Sequence, residues 1–114
     1  MTRSTEQVYQ RHMKALLEGD FVALMADYAD DAVLLTLDGA SVGKPAIQAY
    51  FVNALSAMPN GKLSPTGDIV HGDYVLTTWT GDSDVATIPY GVDTFVIRDE
   101  KIRLQTVWFT VVPK

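Results

Sequence analysis

The sequence predicts an α+β layer fold. Helical patterning is confined to the first half of the chain, a succession of strands and tight turns fills the second, and strands and helices do not alternate as a parallel sheet requires. With 114 residues there is room for one core, so residues 1–114 are read as a single domain.

Residues 4–18 read as an amphipathic helix. Ser4 and Gln7 make a capping box, Gly19 supplies the stop, and Val8, His12, Ala15 and Leu16 share one face, which puts His12 on the buried side. Asp20 caps a second, short helix over 20–28 that carries Phe21, Leu24 and Met25. A β-rich run at 33–37, the turn signal Asp38-Gly39 and a return at 40–42 make a hairpin. Gly43-Lys44-Pro45 opens a third helix with Ile47, Tyr50, Phe51 and Leu55 as its apolar stripe, and Pro59-Asn60-Gly61 ends it. Strands are expected at 63–70, 74–80, 87–97 and 101–112, separated by His71-Gly72-Asp73, the loop 81–84 and Arg98-Asp99-Glu100. In the last of them Leu104, Thr106 and Trp108 alternate with Val107, Phe109 and Val111, so both faces of the sheet are apolar. Three helices cover one face. Placing Val107, Phe109 and Val111 outward leaves the other for a second copy, and a homodimer is expected.

Composition limits the chemistry. Hydrophobic residues at 47% and charged residues at 20% place the chain among folding domains. A net charge of -5 repels phosphate backbones and anionic lipid, so neither nucleic acid nor a membrane is expected as a partner. The sequence has no cysteine for a disulfide, a thiolate nucleophile or a thiolate-ligated metal. It begins without the apolar core of a secretory signal and has no apolar run near the ~20 residues of a membrane span, so a cytoplasmic location is expected. The loop Gly81-Asp82-Ser83-Asp84 lacks the register of a calcium loop, the two histidines are far apart, and no phosphate or dinucleotide motif occurs. No metal and no cofactor are expected.

Two stretches, YADDAVLLTLDGASVGKPAIQAYF (28–51) and GVDTFVIRDEKIRLQTVWFTV (91–111), resemble the SnoaL-like branch of the NTF2-like superfamily, which includes ketosteroid isomerases and polyketide cyclases. The order of acidic turn, strand, Gly-containing turn and G-K-x-A-I helix start carries the first likeness. The resemblance implies a cone: a strongly curved antiparallel sheet wrapped around a pocket that the N-terminal helices close. Against the isomerases, His12 stands where a helical tyrosine donates to the oxyanion, Asp93 where the neutral acid of the same oxyanion hole lies, and Thr36 where the aspartate base lies. Threonine cannot take a proton in that role. Against limonene epoxide hydrolases, Gly91 replaces an arginine. Neither activity transfers intact.

The resemblance leaves His12 and Asp93 as the expected catalytic pair, facing each other across the pocket within hydrogen-bonding reach. A carboxylate that orients an imidazole makes a general acid/base near neutral pH, suited to proton abstraction beside a carbonyl, dehydration or cyclisation. The plainer alternative is a core histidine satisfied by Asp93. Thr36, Tyr50, Phe51, Trp79, Phe95 and Trp108 are expected along the pocket wall, where aromatic rings serve a ligand or simply the core. The leading expectation is thus a cofactor-independent isomerase, cyclase or dehydratase for a small hydrophobic carbonyl-bearing molecule. The alternative is a non-catalytic ligand-binding or dimerisation module.

Overall fold

The computed structural model describes residues 2–114. Helix α1 (Thr5–Glu18) begins at the capping box, with Ser4 accepting from the Gln7 backbone and Gln7 reciprocating, and ends where Gly19 adopts a left-handed conformation at φ 70°. Helix α2 (Phe21–Ala26) is capped by Asp20 and is shorter than expected. It stops at Asp27, because Tyr28 enters strand β1 (Tyr28–Thr36), pairing with Ile102 and burying its ring almost completely. Strand β2 (Gly39–Val42) returns through the Asp38-Gly39 turn, and α3 (Lys44–Ser56) follows with Pro45 in its first turn.

The remaining strands are β3 (Lys62–His71), β4 (Tyr74–Asp82), β5 (Ala86–Arg98), β6 (Lys101–Phe109) and β7 (Val112–Pro113). They join β1 and β2 in one unclosed sheet of order β2-β1-β6-β5-β4-β3, with β7 on β5. All pairings are antiparallel except β1 with β6, so the meander reading needs one correction: β1 lies parallel to a strand that follows it by most of the chain. Ladder irregularities interrupt β1, β3, β4 and β5, and such irregularities bend and twist a sheet into a concave surface. Val8, Tyr9, Leu34, Ile47, Val75, Phe95, Ile97 and Ile102 form the core between that surface and the helices. Among the described residues no helix is long and apolar enough to cross a membrane.

The faces of β6 are the reverse of the expectation. Val107, Phe109 and, just beyond the strand, Val111 line the concave side, whereas Trp108 is exposed and stacks edge-on with Tyr90 on the outside. Alternation fixes that neighbouring residues point oppositely, but not which set meets the helices.

Candidate functional site

Between the concave sheet, α1 and α3 lies a cavity of about 760 Å³. Met13, Leu16, Phe51, Ile88, Phe95 and Phe109 make much of its wall apolar. Its polar groups are few: His12, Thr77, Asp93 and Gln105 on the sheet and α1 side, with Ser41, Asn53 and the exposed Asp38 on the hairpin and α3. Among the described lining residues there is no lysine or arginine.

Asp93 stands mid-strand on β5, where the inward parity that buries Phe95 and Ile97 points it into the cavity. Its Oδ1 accepts from Trp79 Nε1 at 2.9 Å and its Oδ2 from Gln105 Nε2 at 2.9 Å. Burial pushes its carboxyl up to about 6, against the opposing pull of these two donors. Trp79 reaches this bond by lying on Gly91: a Cβ there would sit 2.3 Å from the indole. The same contact is a steric reason why no arginine fits at position 91.

His12 is buried, but its partners are not the expected one. Nδ1 lies 3.1 Å from Oδ2 of Asp27 and Nε2 lies 3.3 Å from the Tyr28 hydroxyl, with no direct bond to Asp93. Asp27, at the end of α2, and Tyr28, at the start of β1, occupy the space around the ring. Arg11 also bonds Asp27, so one fully buried carboxylate faces two basic side chains. Burial would raise the Asp27 carboxyl, but the bonds from His12 and Arg11 outweigh it and hold it below its ordinary value. Tyr28 donates onward to Oε1 of Gln105, and Gln105 donates to Asp93. His12 and Asp93 are therefore the ends of a chain, not a contact pair. Tyr9 makes a separate link, donating to Thr77 at 2.8 Å, and Thr77 donates to the Gly67 carbonyl.

Of the expected wall residues, Tyr50, Phe51, Trp79 and Phe95 line the cavity. Thr36 and Trp108 do not. The Thr36 hydroxyl is 3.1 Å from the Asp38 amide and accepts from it, closing the β1–β2 turn and setting Asp38 rather than itself at the cavity. Trp108 has the outward parity of β6. Burial chiefly, then the charges of Asp38 and Asp93, raise the Tyr50 hydroxyl. Sequence reasoning missed Asp27 and Gln105. A signal existed for each: an acidic residue closing the apolar run FVALMAD, and a glutamine in register with Val107 and Phe109. Among the described residues no three His, Asp or Glu side chains gather as a metal site.

Residues 9–105 match the model of the SnoaL-like domain family. No curated protein is significantly similar in sequence. Among solved structures, a candidate polyketide cyclase from Sinorhizobium meliloti superposes with a TM-score of 0.79 at 22% identity, over 88% of this chain and 92% of that one. A candidate ketosteroid isomerase from Kribbella flavida gives 0.81 at 13%, over 96% and 82%. An LEH-like epoxide hydrolase from M. tuberculosis gives 0.75 at 18%, over 96% and 84%. At these identities the likeness is one of fold.

Proposed function

Since this chain belongs to the SnoaL-like domain family, we propose that it is an acid/base enzyme, an isomerase, cyclase or dehydratase, acting on a small, uncharged, hydrophobic molecule that bears a carbonyl group. The observation that carries this reading is Asp93: a carboxyl in an apolar cavity, both oxygens oriented by neutral donors, with its proton affinity raised to about 6. Such a group is ionised often enough at neutral pH and basic enough to take a proton beside a carbonyl, and once protonated it is acidic enough to return it. Asp93 is the catalytic residue in this reading. His12 spends both ring nitrogens inside the protein and acts on Asp93 only through Tyr28 and Gln105. No lysine or arginine lines the cavity among the described residues, and Asp38 and Asp93 would repel a ligand with its own carboxylate or phosphate.

The second reading, a non-catalytic binding module, draws on that same engagement of His12. The two are separated by incubating the protein in deuterated water with a panel of neutral hydrophobic ketones and following exchange beside the carbonyl by mass spectrometry. Wild-type protein is expected to accelerate exchange on at least one ligand that binds, and Asp93→Asn to lower the rate by about 10²- to 10⁴-fold while binding persists. Ligands that bind both proteins with equal, background exchange favour the binding module.

A further inference from the structure

Counting donors along the chain behind Asp93 is restrictive. Asp27 as a carboxylate only accepts, so Nδ1 of His12 carries a hydrogen. Oε1 of Gln105 only accepts, so the single Tyr28 hydroxyl proton goes there, and the Tyr28 oxygen is left to accept from Nε2 of His12. In this polarity both ring nitrogens donate, as those of an imidazolium beside the Asp27 carboxylate would. Gln105, with its oxygen toward Tyr28, turns Nε2 toward an ionised Asp93.

The opposite polarity is equally complete. If Asp93 holds a proton toward Gln105, the amide must turn by 180°, a rotation its planar shape accommodates. Nε2 of Gln105 then donates to Tyr28, Tyr28 donates to Nε2 of His12, and the imidazole is neutral. With neither end protonated the chain contains an acceptor–acceptor clash; with both protonated, either Gln105 meets a donor or the Asp93 hydrogen sits on Oδ1, which then serves the Trp79 N–H only as a weaker hydroxyl acceptor, and each arrangement costs free energy. We propose that His12 and Asp93 share a single proton through Tyr28 and Gln105, the chain being best satisfied when one of them, but not both, is protonated. Tyr28 and Gln105 are then positioning residues. When Asp93 gives its proton to a ligand, His12 takes one from solvent, so the new carboxylate is matched by a cation at the other end of the chain although no lysine or arginine lines the cavity among the described residues.

The other groups around the two ends bear on the measurement. Arg11 and Asp27 accompany His12, with Phe95 against its ring. Trp79 bonds Asp93, whose charge also reaches the hydroxyls of Tyr9, Tyr28 and Tyr50. The influence of Arg11, Asp27, Trp79 and the hydroxyls of Tyr9 and Tyr50 persists when Phe replaces Tyr28.

The proposal rests on Asp93 as the proton-handling group, and its test needs no turnover, so it fails separately from the enzyme reading. Ring nitrogens of His12 and the side-chain carbon of Asp93 are followed by NMR from pH 4 to 9 in wild type, Asp93→Asn, Tyr28→Phe and the double variant. In wild type the His12 curve is expected to show a second inflection at the Asp93 midpoint. Asparagine serves either polarity, so Asp93→Asn is expected to lower the proton affinity of His12 at least threefold more when Tyr28 is present than when Phe replaces it. Gln105→Met, which cuts the chain while keeping side-chain length, is expected to behave as Tyr28→Phe does and stands in if that variant fails to fold. A single wild-type inflection, or an equal effect of Asp93→Asn with and without the Tyr28 hydroxyl, overturns the shared proton.

Discussion

Asp93 is a carboxylate that the fold places where charge is costly, and this has a measurable sign. Its folded value of about 6 lies above the ~3.9 of an unfolded aspartate, so its contribution favours folding fully below pH ~4 and is lost as pH rises through 6. Asp93→Asn removes the charge and keeps a side chain that can bond to Trp79 or Gln105. The variant is expected to be more stable than wild type at pH 8 by up to about 3 kcal/mol, two pKa units at 1.36 kcal/mol each, with the advantage shrinking toward pH 4. Urea titrations at both pH values read it directly. Gly91 tests the orientation of the same carboxyl. Since a Cβ there would lie within the Trp79 ring, Gly91→Ala is expected to displace the indole and break its bond to Asp93. Asp93 should then titrate above its wild-type midpoint, as its carbon chemical shift would show.

Among the elements, α1 is fixed to the α2–β1 junction by Arg11 and His12 meeting Asp27, and this junction also sets the entry of β1 beside β6. Asp27 is fully buried, and breaking one side of a buried ion pair strands its partners. Asp27→Asn is expected to cost about 3 kcal/mol of unfolding free energy at pH 7. Because the Asp27 carboxyl is held below its ordinary value, wild type loses this contribution as pH falls below ~4, and the gap between the two proteins should close in acid. The β1–β2 turn shows a different division of labour. Thr36 closes the turn and Asp38 reaches the cavity, so an aspartate substituted at position 36 would not stand where a base is needed.

At the scale of the molecule, the convex face of the sheet has no helix over it. Ile69 on β3, Tyr74 and Leu76 on β4 and Trp108 on β6 are each more than 40% exposed, and Val92 and Val96 of the intervening β5 and Leu104 of β6 lie in register among them. Apolar exposure of this kind is characteristic of an association surface, and we propose that it pairs two copies of the chain. The expected homodimer differs from the one inferred from sequence in the residues it buries: Trp108 and Leu104 from β6 instead of Val107 and Phe109. Light scattering should give twice the 12.5 kDa of the chain at micromolar concentration. Leu76→Asp should halve that mass without unfolding the protein, whereas a wild-type monomer would remove the proposal.

The sequence by itself determined what short-range chemistry controls. The capping box at Ser4, the left-handed stop at Gly19, the Asp38-Gly39 turn and proline at the head of α3 each act within a few residues, and the corresponding elements begin and end close to where these signals stand. The run of apolar and β-branched residues in the second half likewise had no alternative but strands packed under helices. Tertiary structure decided the rest. Alternation along β6 is symmetric under exchange of its two faces, so only the packing of α1 and α3 could turn Val107 and Phe109 inward and Trp108 out. The partner of a buried polar group depends on which distant segments arrive beside it. His12 took Asp27 from the end of the next helix, and Gln105, from a strand far along the chain, came between that histidine and Asp93. No local signal ranks such partners, because the desolvation they relieve exists only once the core has closed.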